Sequence, residues 1–171
     1  MEILTYVLEG RLEHRDSLGS RGVIGAGELQ RMSAGAGIRH AEFNASPTEP
    51  VHLLQFWIHP AERGLKPSWE QKQFTHEQRQ SRLLPVASGR PLAGALRIHQ
   101  DATVYISSLA AGDQLTHELA PGRRAYLFVI AGAVALNGKA LAPGDQARIE
   151  DEKRLELQAS KPVELILLDL P

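Results

Sequence analysis

His40 and Glu42 stand two residues apart near the end of the stretch Gln30-Arg31-Met32-Ser33-Ala34-Gly35-Ala36-Gly37-Ile38-Arg39-His40-Ala41-Glu42-Phe43. On an extended backbone, residues i and i+2 project from the same face. An imidazole and a carboxylate would then point into one cavity, the combination that a metal site or an acid–base pair uses. Gly35 and Gly37 relax the backbone just before the pair, as a tight bend or a close backbone approach requires. Gln55 lies in the strongly apolar run 51–58 and needs a hydrogen-bond partner if it faces inward. Two readings stand for it: a satisfied structural glutamine, or a residue lining the cavity beside His40 and Glu42. The remaining histidines offer less. His14, just before the turn-forming residues 16–20, is expected at the surface, as is His76. His117 stands alone, and with Arg123 and Arg124 nearby it makes no metal set, so the second half reads as structural.

The elements that must carry these side chains are strands. Gly 15 and Pro 10 in 171 residues indicate many turns and short strands rather than long helices. Hydrophobic residues make up 43% and aromatics 5%, so the core is mainly aliphatic. Residues 3–8, 51–58, 103–109, 124–130, 148–157 and 163–170 read as strands by apolar runs or alternation. Asn137-Gly138 is the strongest short hairpin signal. Residues 60–93 change character, with Pro60, Pro67, Pro85 and Pro91 punctuating a polar segment too weakly periodic to predict a helix.

The two halves echo each other. Tyr6-Val7-Leu8-Glu9-Gly10 followed by Gly27-Glu28 parallels Phe128-Val129-Ile130-Ala131-Gly132 followed by Gly144-Asp145, and the run from Val51 parallels that from Val163. A strand, a glycine, a Gly-acid corner and an apolar strand, repeated once, is what a duplicated β-barrel leaves.

Composition excludes several classes. Net charge is −1, which gives no basic footprint for nucleic acid. There is no cysteine, hence neither disulfide nor thiolate chemistry. No apolar run approaches the ~20 residues of a membrane span, and no basic n-region precedes an apolar segment at the start. A cytoplasmic location is the expectation.

The wording around His40 and Glu42 resembles the pirin family. Met32-Ser33-Ala34-Gly35-Ala36-Gly37-Ile38-Arg39-His40-Ala41-Glu42 looks like its signature. Residues 1–10 resemble its first cupin strand, Leu53-Leu54-Gln55-Phe56-Trp57 its Leu-x-Gln-x-Trp strand, and Pro67-Ser68-Trp69-Glu70 its Pro-x-Tyr-Glu segment. Leu167-Leu168-Asp169-Leu170-Pro171 resembles the close of the bacterial, quercetin 2,3-dioxygenase-like members. The resemblance implies an all-β bicupin, two jelly-roll-like β-barrels in one chain. It implies a truncated N-terminal cupin over 1–60, a connection over 61–93 and a C-terminal cupin over 94–171.

It further implies a mononuclear divalent transition metal, iron first, with His40 as ligand and Glu42 as ligand or catalytic base. The family's other two ligands are histidines of a His-Pro-His segment preceding the glutamate that Glu2 matches. This sequence starts after that point, so half of the family's set is expected. Three readings follow: the protein starts upstream of Met1; a natural short form has lost catalysis; or another chain, or His52 or His14, completes the site. The first is the expectation, and with it self-association through an exposed first barrel. The implied function is a quercetin (flavonol) 2,3-dioxygenase-type oxidoreductase. The alternatives are a non-catalytic regulatory or protein-interaction protein and a cupin that binds a small molecule without chemistry.

Overall fold

The computed structural model describes residues 1–171, which form two compact units. Unit 1 comprises Met1–Thr75 and Leu96–Gln100; unit 2 comprises His76–Ala95 and Asp101–Pro171. Strands dominate both, and no helix is long and apolar enough to cross a membrane.

Unit 1 contains β1 (Glu2–Glu9), β2 (Arg11–Asp16), β3 (Arg21–Gly25), β4 (Glu28–Ser33), β5 (His40–Asn44), β6 (His52–Ile58) and β7 (Ser68–Gln73). They form two antiparallel sheets, one ordered β6-β1-β4-β7 and the other β3-β2-β5. Val7, Leu12 and Ile24, one from each of β1, β2 and β3, bury their side chains together, so the core lies between the two sheets.

In unit 2 a single helical turn, α1 (His76–Arg79), precedes β8 (Leu84–Ser88). After the short β9 (Leu96–Arg97), which belongs to unit 1, come β10 (Thr103–Leu109), β11 (Gln114–Glu118), β12 (Arg124–Ala131), β13 (Val134–Leu136), β14 (Lys139–Leu141), β15 (Gln146–Ile149), β16 (Arg154–Ala159) and β17 (Val163–Leu170). One sheet runs β15-β12-β17-β10-β8 and the other β11-β16-β13-β14. Alternation decides which face is buried. Leu155, Leu157 and Ala159 of β16 point inward against Ala125, Leu127 and Val129 of β12. The central β17 is apolar on both faces, and Leu165, Ile166 and Leu167 are all fully buried. Asn137 and Gly138 both take positive φ and close the β13–β14 hairpin, as that dipeptide predicts.

The internal repeat extends to backbone detail. The β1–β6 pairing shifts register between Val7 and Glu9, and the β12–β17 pairing between Val129 and Ala131. The N–H of Gly27 donates to the Val7 carbonyl at 3.0 Å, and that of Gly144 to the Val129 carbonyl at 2.9 Å. The acid of each corner caps its own turn: Glu28 accepts from the Gly25 N–H at 2.6 Å, and Asp145 from the Ala142 N–H at 2.9 Å. Gly10 (φ 73°) and Gly132 (φ 79°) end the equivalent strands, and a Cβ on them would lie 2.2 Å from the Pro50 carbonyl and 1.8 Å from the Pro162 carbonyl. Gly132→Ala therefore meets a left-handed backbone, worth about 1–2 kcal/mol by itself, and a backbone clash in addition. The expected outcome is a lower melting temperature for either Gly→Ala variant, by roughly 4–8 °C per kcal/mol for units of this size, read by calorimetry.

The stretch 61–93, read from sequence as a connection, is structured otherwise. Its first part supplies β7, which pairs with β4 from Glu28↔Gln73 to Ser33↔Ser68, and its last part supplies β8 against β10. The prolines that suggested a linker stand before β7, at the irregular Pro85 step of β8 and after β8.

Candidate metal centre

The β2–β5 pairing builds the site. Its register places Asp16 opposite His40 and His14 opposite Glu42. All four side chains therefore share one face of the sheet, on two rungs separated by the Arg15–Ala41 pair. His14, His40 and Glu42 each offer a ligand atom, and these atoms lie within 4.8 Å of one another. The structure thus brings His40 and Glu42 together as their spacing suggests.

It also corrects the reading of His14, which is fully buried, not a surface residue. In β2 the inward positions are Leu12 and His14. The His14 ring is sandwiched between His40, with ring centroids 5.6 Å apart, and Trp69, at 5.3 Å and 12° between planes. Trp69 gets this close because Gly22, paired with His14 on β3, has no side chain: a Cβ there would fall 2.3 Å from the indole.

The orientation of His14 follows from its partners. Its Nε2 lies 3.2 Å from Asp16 Oδ2. Asp16 is itself fixed, its Oδ1 accepting from the N–H groups of Leu18 and Ser20 at 2.9 and 3.0 Å. Burial alone would raise the Asp16 carboxyl, but the hydrogen bonds from His14, Ser20 and Leu18 outweigh it and hold the group below its usual range. An ionised carboxylate only accepts, so Nε2 is the donor in this contact, and in the neutral imidazole Nδ1 then presents a lone pair. That Nδ1 is buried and has no hydrogen-bond partner in the protein. A carboxylate holding one imidazole nitrogen while the other is left bare is the arrangement of a metal-ligating histidine.

Glu42 is held from the facing sheet. One of its oxygens accepts from Gln30 Nε2 at 2.7 Å and the other from Gln55 Nε2 at 2.8 Å. Gln30 and Gln55 lie on one rung, each opposite Thr5 of β1, and Gln55 also donates to Thr5 Oγ1 at 3.1 Å. Of the two readings for Gln55, the structure therefore shows the residue beside the site. Glu2 faces the opposite side of its sheet, accepting from Ser33 at 2.9 Å. His52, His59 and His76 are exposed and outside the cluster.

Two imidazoles and one carboxylate, with a bare buried nitrogen among them, fit a first-row divalent transition metal and leave coordination positions open. The sequence offered a signal for the part it missed: His14-x-Asp16 repeats the spacing of His40-x-Glu42. No local signal marked Gln30 or Trp69, whose roles depend on sheet register.

In unit 2, His117 is not alone. Its Nε2 lies 3.0 Å from Asp169 Oδ2, the Tyr105 ring meets it edge-on at 5.2 Å, and Arg123 Nε donates to the other oxygen of Asp169. This is a closed, self-satisfied network with no second histidine.

Comparison with known proteins agrees with the fold and the motif. The family model described as Pirin matches residues 1–58, and the one described as Quercetinase C-terminal cupin domain matches residues 85–170. The chain is 44% identical over 172 residues to a quercetin 2,3-dioxygenase of Escherichia coli strain K12, covering 100% of this chain and 73% of that protein. It is 43% identical over 170 residues to a pirin-like protein of Caulobacter vibrioides, covering 99% of this chain and 73% of that one. Among solved structures, the bacterial pirin YhhW of Escherichia coli in complex with nickel(II) superposes with a TM-score of 0.94 at 43% identity, covering 100% of this chain and 72% of that one. With both barrels matched and the identity spread over the whole chain, this protein belongs to the pirin family of bicupins.

Proposed function

We propose that His14, His40 and Glu42 hold a divalent transition metal, iron in the cell, and that the centre serves quercetin 2,3-dioxygenase-type oxidation of a flavonol. The observation that carries this reading is the convergence of the three ligand groups within 4.8 Å, with the buried His14 Nδ1 left bare. The names of two relatives, a quercetin 2,3-dioxygenase and a pirin crystallised with nickel(II), support it. A bound ferrous ion would supply a Lewis-acid centre for the substrate hydroxyl and redox chemistry towards dioxygen. The chain's own residues do the rest. Asp16 fixes the His14 ring through Nε2. Trp69 and Gly22 set its plane. Glu42 is placed to accept the proton of a flavonol hydroxyl, with both amide donors keeping its carboxylate in one orientation.

The test is elemental analysis of the purified chain after Fe(II) loading under anaerobic conditions, followed by quercetin consumption in air. Near-stoichiometric iron and quercetin loss that both vanish in His40→Ala are the expected result. Stoichiometric metal without quercetin loss would overturn the substrate while leaving the metal centre standing. Metal at the level of the His40→Ala control would overturn both.

A further inference from the structure

Gln30 carries a cost that packing does not explain. It is 1% exposed, its Nε2 donates to Glu42, and its Oε1 is buried with no partner. A buried unpaired amide oxygen is destabilising, and an apolar residue of the same shape would remove that penalty. The amide cannot simply be turned round, because its oxygen would then face the Glu42 carboxylate. What the protein gains for the orphaned oxygen is a donor aimed at Glu42 from a rigid central strand.

Gln55 is the counterpart from the other side. Its Nε2 reaches Glu42 and Thr5, while its Oε1 accepts from Trp57 Nε1 at 2.9 Å. The indole only donates. Trp57 therefore fixes which end of the Gln55 amide faces Glu42. Trp57 is 62% exposed, so its ring adds little to the core and its N–H is the part with a defined contact.

From these contacts we infer that Gln30 and Gln55 are positioning residues that clamp Glu42 for metal binding, and that Trp57 keeps the Gln55 amide in its working orientation. The choice of amides is chemically apt. Each donates one hydrogen bond to the carboxylate and brings no charge of its own to compete with a cation. Each oxygen of Glu42 also retains a second lone pair. An arginine or lysine in either place would orient Glu42 equally well but would neutralise it. The inference rests on the metal reading of the site.

The experiment measures Ni2+ affinity by calorimetric titration, the visible spectrum of the Co2+-loaded chain, and the melting temperature without metal. These are taken for the wild type, Gln30→Leu, Gln55→Leu and Trp57→Phe. Gln30→Leu should bind Ni2+ about 10–100-fold more weakly, the range seen when groups that orient ligands are removed. Its metal-free melting temperature should be equal to or higher than that of the wild type. Gln55→Leu should lose affinity similarly, and Trp57→Phe, which keeps a ring but no N–H, should show part of that loss. The Co2+ spectrum should change in all three variants as Glu42 loses its fixed orientation. A merely structural Gln30 gives the opposite pattern, lower stability with unchanged affinity and spectrum, and that overturns the clamp. A wild type that does not bind Ni2+ at all overturns the metal reading on which the clamp rests, which is a distinguishable result.

Discussion

Removing one ligand from the centre should cost at least 100-fold in Ni2+ affinity, and His40→Ala is the clearest case. His40 is exposed, so its loss leaves the core of unit 1 intact, and any change in binding reports on coordination. Two protein ligands remain, His14 and Glu42, and two are too few to hold a divalent ion tightly without further donors. Asp16→Asn tests the layer behind the ligands. The amide can present its oxygen to His14 Nε2, but it lacks the charge that stabilises the oriented, metal-bound imidazole. A loss of about 10–100-fold is expected. Because the three ligands act as a unit, His40→Ala combined with Glu42→Ala should be scarcely worse than either alone. Titration calorimetry on the four variants checks this. An Asp16→Asn chain with wild-type affinity would show that the bare Nδ1 of His14 is not a ligand.

Asp169→Asn should destabilise unit 2 by about 3–5 kcal/mol, the range for removing one partner of a buried ion pair. Asp169 is 7% exposed and sits between two cationic or donor groups. Arg123 donates through Nε to its side chain and through Nη2 to its backbone carbonyl at 3.2 Å, and His117 bonds its other oxygen. Arg123 also reaches Asp101 at 2.9 Å, but that carboxylate is largely exposed and screened by water. Asp101→Asn should accordingly cost no more than about 1 kcal/mol. The same network fixes the pH dependence. Burial alone would raise the Asp169 carboxyl, but the hydrogen bonds from His117 and Arg123, with their charges, hold it below its usual value. In the unfolded chain it titrates at the ordinary aspartate value, about 3.9. The stabilisation is therefore complete above that pH and is lost as pH falls through the lowered folded value. Denaturation curves from pH 7 down to pH 2 should show the wild type losing stability below about pH 4, with Asp169→Asn starting lower and falling less. Parallel curves would show that Asp169 is not linked to folding.

Much of the architecture was legible without coordinates. The fold class follows from local chemistry: short apolar strands, Gly-acid corners, the Asn137-Gly138 hairpin, and a glycine at the end of two equivalent strands. Each of these acts through residues close in sequence, so each leaves a local pattern. The repeat was visible for the same reason, and the structure extends it to matching bulges and matching carbonyl contacts at Gly10 and Gly132. The His40-x-Glu42 pair was legible because a strand fixes the relative direction of alternate side chains whatever it packs against.

What the sequence by itself did not decide was which partners those strands bring. The inward face of β2 depends on its register with β5, and a slip of one residue would have turned His14 and Asp16 to solvent. The clamp on Glu42 comes from strands 12 and 13 residues away in the chain and from the opposite sheet. Arg123 and His117 meet Asp169 across 46 and 52 residues. Long-range pairing of this kind is set by how whole sheets bury their apolar faces, a property of the assembled core that no short window of sequence contains.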